Sequence, residues 1–269
     1  MKIRIRKIRK NELPLIRDFP PSDWNLDLEK EYCKHYDHDY FYPIAATINL
    51  NIVGTGIAVI NDNVAWLGTI IVREDYRNNG IGTLITNHLI DYSKSKGIET
   101  ILLFATELGL PIYQKLGFQH DLNYLSFKND TIFQFCPEFK SITRITKKDY
   151  QQILELDYVV TGERRKELLT STLNTGFKYK DDIIKGFYLP DFGRGLIIAN
   201  SENAGLELLK FKLIHNQSTV CVPETNKPAI DFLTSIGFYQ YLKIPRMYLS
   251  KNIIWNSKNV YSRGCGHLG

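Results

Sequence analysis

The sequence predicts an α/β protein, more narrowly an α+β mixed sheet built twice over, each copy a central, mostly antiparallel sheet flanked by helices. Three observations carry that expectation. Short apolar runs broken by Gly and Asn follow one another between residues 44 and 72, helices with three-and-four apolar spacing then alternate with buried runs such as Thr100–Phe104, and the same order returns in the second half.

The opening KIRIRKIRK alternates through Ile3, Ile5 and Ile8 as a first strand does. Its basic character suits the start of a signal peptide, but no apolar stretch follows before Asn11 and Glu12. Asn11 to Phe19 has helical spacing, and the aromatic, acidic stretch SDWNLDLEKEYCKHYDHDYFYP follows it. The runs Ile44–Leu50, Ile52–Ile60 and Val64–Val72, separated by Asn51, Gly54 and Asn61-Asp62-Asn63, read as antiparallel hairpins. Ile81, Leu84, Ile85, Leu89 and Tyr92 then mark a helix that stops at Lys96-Gly97. Thr100–Phe104 is a buried strand, Pro111–Leu116 a short helix ended by Gly117, and a further strand starts at Phe118.

Two landmarks repeat. IRKNELPLI (8–16) aligns with ITKKDYQQI (145–153) at an offset of 137, and PIYQKLGF (111–118) with DFLTSIGF (231–238) at 120. An internal duplication accounts for both matches in order, and two unrelated helix-to-strand turns ending in Gly-Phe are the alternative. The fall in offset, 137 − 120 = 17, leaves the second copy short by about that many residues. The expected place for the excess is the aromatic, acidic segment between Ser22 and Pro43, a lid carried by the first copy alone. The domains are expected over 1–132 and 138–269, with the boundary between Asp130 and Ser141.

A chain of 269 residues with 43% hydrophobic content can bury a core or two. Its net charge of +5 is scattered rather than gathered into runs, so no nucleic-acid partner is expected. Cys33, Cys136, Cys221 and Cys265 lie far apart, with neither metal-ligand spacing nor a disulfide framework; no metal is expected and the thiols are read as reduced. No apolar run approaches the roughly 18 residues of a membrane span, which points to a cytoplasmic protein without a membrane partner.

The chemistry concentrates in VREDYRNNGIGTLITNHLI (72–90). A helix N-terminus offers unpaired N–H groups and partial positive charge, which attract phosphate. Gly80 and Gly82 keep side chains away from that backbone, Arg77 adds a cation, and Asn78 and Asn79 suit the turn. An ordinary strand-to-helix turn explains the glycines equally well. The loop lacks the Gly-Lys-Ser/Thr of a nucleoside-triphosphate loop and the third glycine of a dinucleotide fingerprint.

One helix and one strand downstream stands FATELGLPIYQKLGF (104–118). Together, V-x-x-x-Y-R-N-N-G-I-G (72–82) and A-T-x-x-G-x-P-x-Y-x-x-x-G-F (105–118) resemble the acetyl-CoA pyrophosphate motif, R/Q-x-x-G-x-G/A, and the second conserved block of the GNAT superfamily of N-acetyltransferases. The resemblance covers roughly residues 1 to 130. The second half, through DYVVTGERRKELL (157–169), NKPAIDFLTSIGF (226–238) and PRMY (245–248), is similar to the degenerate acetyltransferase domain of certain bacterial two-domain GNAT proteins, although Arg164 stands where that family is often acidic. Tandem GNAT-like acetyltransferase folds are therefore implied.

The resemblance implies acetyl-CoA as cosubstrate, attacked directly by a neutral primary amine of a small or peptide acceptor. It implies that Ile70, Ile71, Val72, Arg77, Asn78, Asn79, Gly80, Ile81, Gly82, Thr83, Thr106, Gly109 and Pro111 hold the cofactor, with a strand splayed open around Ile70 to Val72, and that Tyr113 is the general acid for the departing thiolate. Some members carry a glutamate base at the position of Trp66; here proton removal falls to water, to Glu31, His35, Asp37, His38 or Asp39, or to the second domain. His88 is expected as a satisfied buried histidine, and Arg165 as an exposed helix start rather than an acceptor contact. The aromatic rings and carboxylates of 22–43 favour a cationic acceptor. At an offset of 120, Arg77, Gly80, Gly82 and Tyr113 map to Ile197, Asn200, Glu202 and Leu233, so the second copy is expected not to bind CoA. The rival readings are a non-catalytic CoA-binding protein and a tandem acyltransferase using aminoacyl-tRNA.

Overall fold

The computed structural model describes residues 2–129, 138–214 and 219–269. They form two compact units. The first holds residues 1–119 with Met247–Asn252, and the second holds His120–Arg246 with Ile253–His267. The expected boundary falls largely on residues 130–137, outside the described residues.

In the first unit, β1 (Arg4–Lys7), β2 (Phe41–Ile48), β3 (Asn51–Asn61) and β4 (Val64–Val72) run antiparallel in that order, and β5 (Thr100–Phe104) joins β4 in parallel. The next place beside β5 is taken by β12 (Tyr239–Ser250), whose residues from Met247 onward belong to this unit. Helices α1 (Leu28–His35), α2 (Ile81–Ser95) and α3 (Leu110–Lys115) complete it. The three-and-four spacing of α2 buries Ile81, Ile85 and Leu89 in one core with Ile44, Ala46, Leu67, Ile101 and Met247. Asn11–Phe19, expected as a helix, forms the 3-10 turn Lys10–Ile16 with Pro14 inside it; proline has no N–H to donate and its ring opposes a regular α-helix.

In the second unit, β6 (Gln119–Lys128, all but its first residue) pairs antiparallel with β11 (Thr219–Pro223). A five-stranded sheet follows the order β13 (Val260–Ser262), β10 (Leu196–Ala199), β9 (Ile184–Leu189), β8 (Phe177–Lys180) and β7 (Ile142–Arg144). Its helices are α4 (Tyr150–Thr161), α5 (Lys166–Leu173), α6 (Glu202–Ile214) and α7 (Lys227–Ser235).

The element order repeats, and the placement of the excess length is corrected. Helix α5 stands at an offset of 138 from α1 (166 − 28), so the second copy keeps a counterpart of the supposed lid helix. The shortfall lies further on. The three strands that span 41–72 in the first copy span 177–199 in the second, and the segment between the third strand and its helix shrinks from 73–80 to Asn200-Ser201. The Gly-Phe landmarks are built identically. Phe118 and Phe238 each donate at 3.0 Å to the carbonyls of Tyr113 and Leu233, after glycines with φ of +88° and +84°.

Candidate functional site

From Val72 the chain passes through the turn Glu74–Tyr76 to Gly80, the N-cap of α2. Gly80 has φ +74° and Asn78 φ +63°. A β-carbon on Gly80 would meet nothing within 4 Å, so the left-handed backbone, not crowding, makes glycine the fit. Asn79 donates through Nδ2 to the carbonyls of Arg77 at 2.9 Å and Tyr76 at 3.3 Å, closing the loop on itself. Arg77 donates from Nε to Val72 O at 3.3 Å and reaches Glu74 at 3.5 Å, its side chain still well exposed.

No side chain caps α2 and no acidic residue lies in its first turn. The N–H groups of Ile81, Gly82 and Thr83 have no acceptor one turn earlier in the helix, so the positive end of the helix is left for an outside anion. A β-carbon on Gly82 would lie 3.5 Å from Ile112 Cδ1 and 3.9 Å from Val72 Cγ2. Those neighbours bring the end of β4, the start of α2 and helix α3 to one place, joining the two sequence blocks that lie a helix and a strand apart.

The strand edge beside this loop is open. β4 pairs with β5 only from Val64 to Leu67, and its register with β3 slips between the pairs Thr55–Ile71 and Ile57–Gly68. The extra residue sits at Thr69, whose φ of +44° is rare for a β-branched side chain. Past this bulge, Ile70, Ile71 and Val72 have no pairing toward β5. No residue pattern announces the bulge in advance.

Thr106 starts the approach to α3. Its hydroxyl accepts from Gly109 N at 3.2 Å and its carbonyl from Gly109 N and Leu110 N at 3.0 and 2.9 Å. Pro111 occupies the first turn, where its missing N–H costs nothing. Gly109 lets the ring of Tyr113 lie against the backbone: a β-carbon there would stand 2.7 Å from Tyr113 Cε2. Tyr113 is 7% exposed, meets the edge of Phe118 at 5.8 Å, and is pushed up by burial to about 12. No hydrogen bond engages its hydroxyl among the described residues, so it remains a protonated donor at neutral pH.

Around this centre the candidate bases are variously engaged. Trp66 is buried and stacks on Phe104 at 5.0 Å. Glu31 is paired with Lys34 at 2.9 Å, His35 with the Tyr40 hydroxyl at 2.9 Å, Asp37 with Lys10, and His38 stacks on Tyr40. The aromatic groups of 22–43 turn inward more than their composition suggests. Tyr32, Tyr40 and Phe41 are core residues, and Tyr36 faces the amines of Lys7 and Lys10 at 5.6 and 5.7 Å. His88 lies half-buried 3.3 Å from the Tyr42 hydroxyl, and burial lowers its pKa.

In the second unit the matching positions have other chemistry. Ile197 is buried in β10, Glu202 is the first residue of α6, and Leu233 is buried in α7. Arg165 is not exposed: it is 3% accessible and grips Asp157 with two bonds of 3.0 and 2.5 Å. A guanidinium beside four other charged residues in a sequence run reads as solvated, and only the fold brings Asp157, one helix back, against it.

Residues 7–118 match the model of the Acetyltransferase (GNAT) family. Over these residues the chain carries a GNAT acetyltransferase domain. This GNAT protein is therefore an acyltransferase. It is similar to the uncharacterized N-acetyltransferase YitH of Bacillus subtilis, 23% identical over 212 residues that cover 73% of each chain. Its fold is shared across both units by a putative acetyltransferase from Pyrococcus horikoshii, with a TM-score of 0.85 at 19% identity over 99% of this chain and 96% of that one. A GCN5-related N-acetyltransferase from Sphaerobacter thermophilus aligns with a TM-score of 0.64 at 13% identity over 95% and 98%. No helix among the described residues is long and apolar enough to cross a membrane.

Proposed function

We propose that this GNAT protein moves an acetyl group from acetyl-CoA to a primary amine of a small or peptide acceptor, by direct attack in a ternary complex. The observation that carries the reading is the start of α2, with uncapped N–H groups behind a left-handed Gly80 and open space where a side chain would project. Arg77, Asn78, Asn79, Gly80, Ile81, Gly82 and Thr83 would hold the pyrophosphate. The open edge at Ile70, Ile71 and Val72 would take the pantetheine amides, and Thr106, Gly109 and Pro111 would set the wall of α3 beside them. Acetyl-CoA supplies the activated thioester. A main-chain N–H on the open edge steadies the developing oxyanion, and Tyr113 gives its phenol proton to the leaving sulfur.

The acceptor amine must reach the site neutral, which for an alkyl amine of pKa about 10.4 holds for roughly one molecule in a thousand at pH 7. Water, one of Glu31, His35, Asp37, His38 and Asp39, or a residue of the second domain takes that proton. Residues 1–132 are read as the catalytic domain and 138–269 as a degenerate GNAT-like domain that has exchanged the anion site for Glu202 and so binds no CoA, in a cytoplasmic protein without a metal or nucleic-acid partner.

The buried stack of Trp66 on Phe104, at the position some relatives give to a basic carboxylate, favours a second reading in which CoA is bound without turnover. Release of CoA thiol from acetyl-CoA over a panel of primary amines separates the two: turnover on any amine establishes transfer, and binding with no turnover on all of them selects the second reading.

A further inference from the structure

The bulge that opens β4 is held from one side by helix α1. The Tyr32 hydroxyl, on α1, lies 2.6 Å from Thr69 Oγ1 and 3.4 Å from Thr55 Oγ1, and Thr55 donates in turn to the carbonyl of Ile44 at 2.9 Å. All three side chains are buried, Tyr32 and Thr55 completely, and Phe41 closes the ring of Tyr32 with an edge contact at 5.3 Å. A buried hydroxyl cluster of this kind has no water to fall back on, so each member fixes the others. Thr69 is the bulged residue itself, with φ +44°, a conformation that persists only where the surroundings impose it. The extra residue it adds is what takes Ile70–Val72 out of pairing with β5.

We propose that Tyr32 is a positioning residue: its hydroxyl holds Thr69 in the bulge, and so ties the seat of α1 to the open strand edge on which pantetheine is laid. The proposal rests on the CoA reading of the site above. It gives α1 a task in the reaction that its charge does not predict, because any displacement of α1 is passed by one short hydrogen bond to the edge that must grip the cofactor. Tyr32 touches neither cofactor nor reacting atoms, and it acts through Thr69.

The test compares two probes on the full chain, CoA and ADP, the second carrying the pyrophosphate without the pantetheine. Tyr32→Phe keeps the ring and removes one hydroxyl. It is expected to weaken CoA by about three- to tenfold, the range of one net hydrogen bond, and to leave ADP unchanged. Thr69→Ser retains the hydroxyl and is expected to bind CoA like the parent, whereas Tyr32→Phe with Thr69→Val is expected to bind no worse than Tyr32→Phe alone, because both act on one link. Parent-like CoA affinity in Tyr32→Phe overturns the proposal, as does equal weakening of CoA and ADP, which marks a general loosening. If the parent chain binds CoA at no concentration, the reading of the loop fails first and takes the proposal with it.

Discussion

Replacing Gly82 with glutamate should push stability and ligand affinity in opposite directions. Gly82 is the second residue of α2, and its φ lies outside the left-handed range. A β-carbon there meets only ordinary contacts at 3.5 and 3.9 Å. Replacing glycine in a helix recovers about 0.5–1 kcal/mol of backbone entropy, and a carboxylate in the first turn adds about 0.3–1 kcal/mol against the helix dipole. The variant should therefore melt about 2–4 °C above the parent, the shift expected for roughly 1 kcal/mol in a chain of this size. The same carboxylate would face the pyrophosphate: unit charges about 4 Å apart at an effective dielectric of 20 repel by about 4 kcal/mol, a loss of roughly a thousandfold in affinity. Thermal melts with and without CoA read both quantities in one experiment. The expected result is a higher melting point that no longer rises with CoA. An unchanged CoA-dependent rise would refute the assignment of the loop, and a melt more than about 5 °C below the parent would refute the packing argument.

Tyr113→Phe should leave the melting point within about 1 °C, since no hydrogen bond is lost, and lower kcat by about a hundredfold at unchanged CoA affinity; equal kcat would remove Tyr113 as the acid. Burial keeps Tyr32 and Tyr113 protonated until about 12, above the unfolded value near 10, so the folded state holds protons the unfolded state has released. Their contribution to stability is whole below pH 10 and is lost between pH 10 and 12; in urea titrations over that range, Tyr32→Phe should show a shallower fall. Breaking the Asp157–Arg165 pair by Arg165→Leu should cost about 3–5 kcal/mol in urea unfolding, because it strands a buried carboxylate, while Arg165→Leu with Asp157→Leu should regain most of that. If the double variant is as unstable as the single one, the cost lies in packing and not in the stranded charge.

Much of the first unit was legible because its signals are local. The run Thr100–Phe104 is β5 to the residue, Val64–Val72 is β4, and Gly97 and Gly117 follow the last turns of α2 and α3 as helix stops do. The two glycine-bearing blocks were legible as a pair because chemistry needs both. What escaped was non-local. Thr69 looks like any strand threonine, and its bulge depends on a hydroxyl that arrives from Tyr32, 37 residues earlier. The acidic and aromatic segment looked like an insertion because its composition is unusual, yet the second copy keeps its helix and loses residues from the strands and the phosphate loop instead. The charged neighbours of Arg165 point to solvent, while the partner that buries it, Asp157, stands eight residues earlier on α4.

One strand sets a schedule for the whole molecule. Met247 is part of the first unit's core, Lys251 bonds to the carbonyl of Glu99 at 3.2 Å, and Tyr248 donates to Gln119 at 2.7 Å, so the first unit borrows its last strand from residues made some 130 positions after the rest of it (250 − 119 = 131). At a synthesis rate of about 5–20 residues per second, the edge of β5, complete 146 residues before β12 ends (250 − 104), waits about 7–29 seconds on the ribosome for its neighbour. During that interval the nascent chain carries an apolar, unpaired strand edge, the feature most prone to mispairing. A gene cut between the two halves should therefore yield an N-terminal fragment that aggregates, and supplying residues 239–252 in trans should be the smallest remedy.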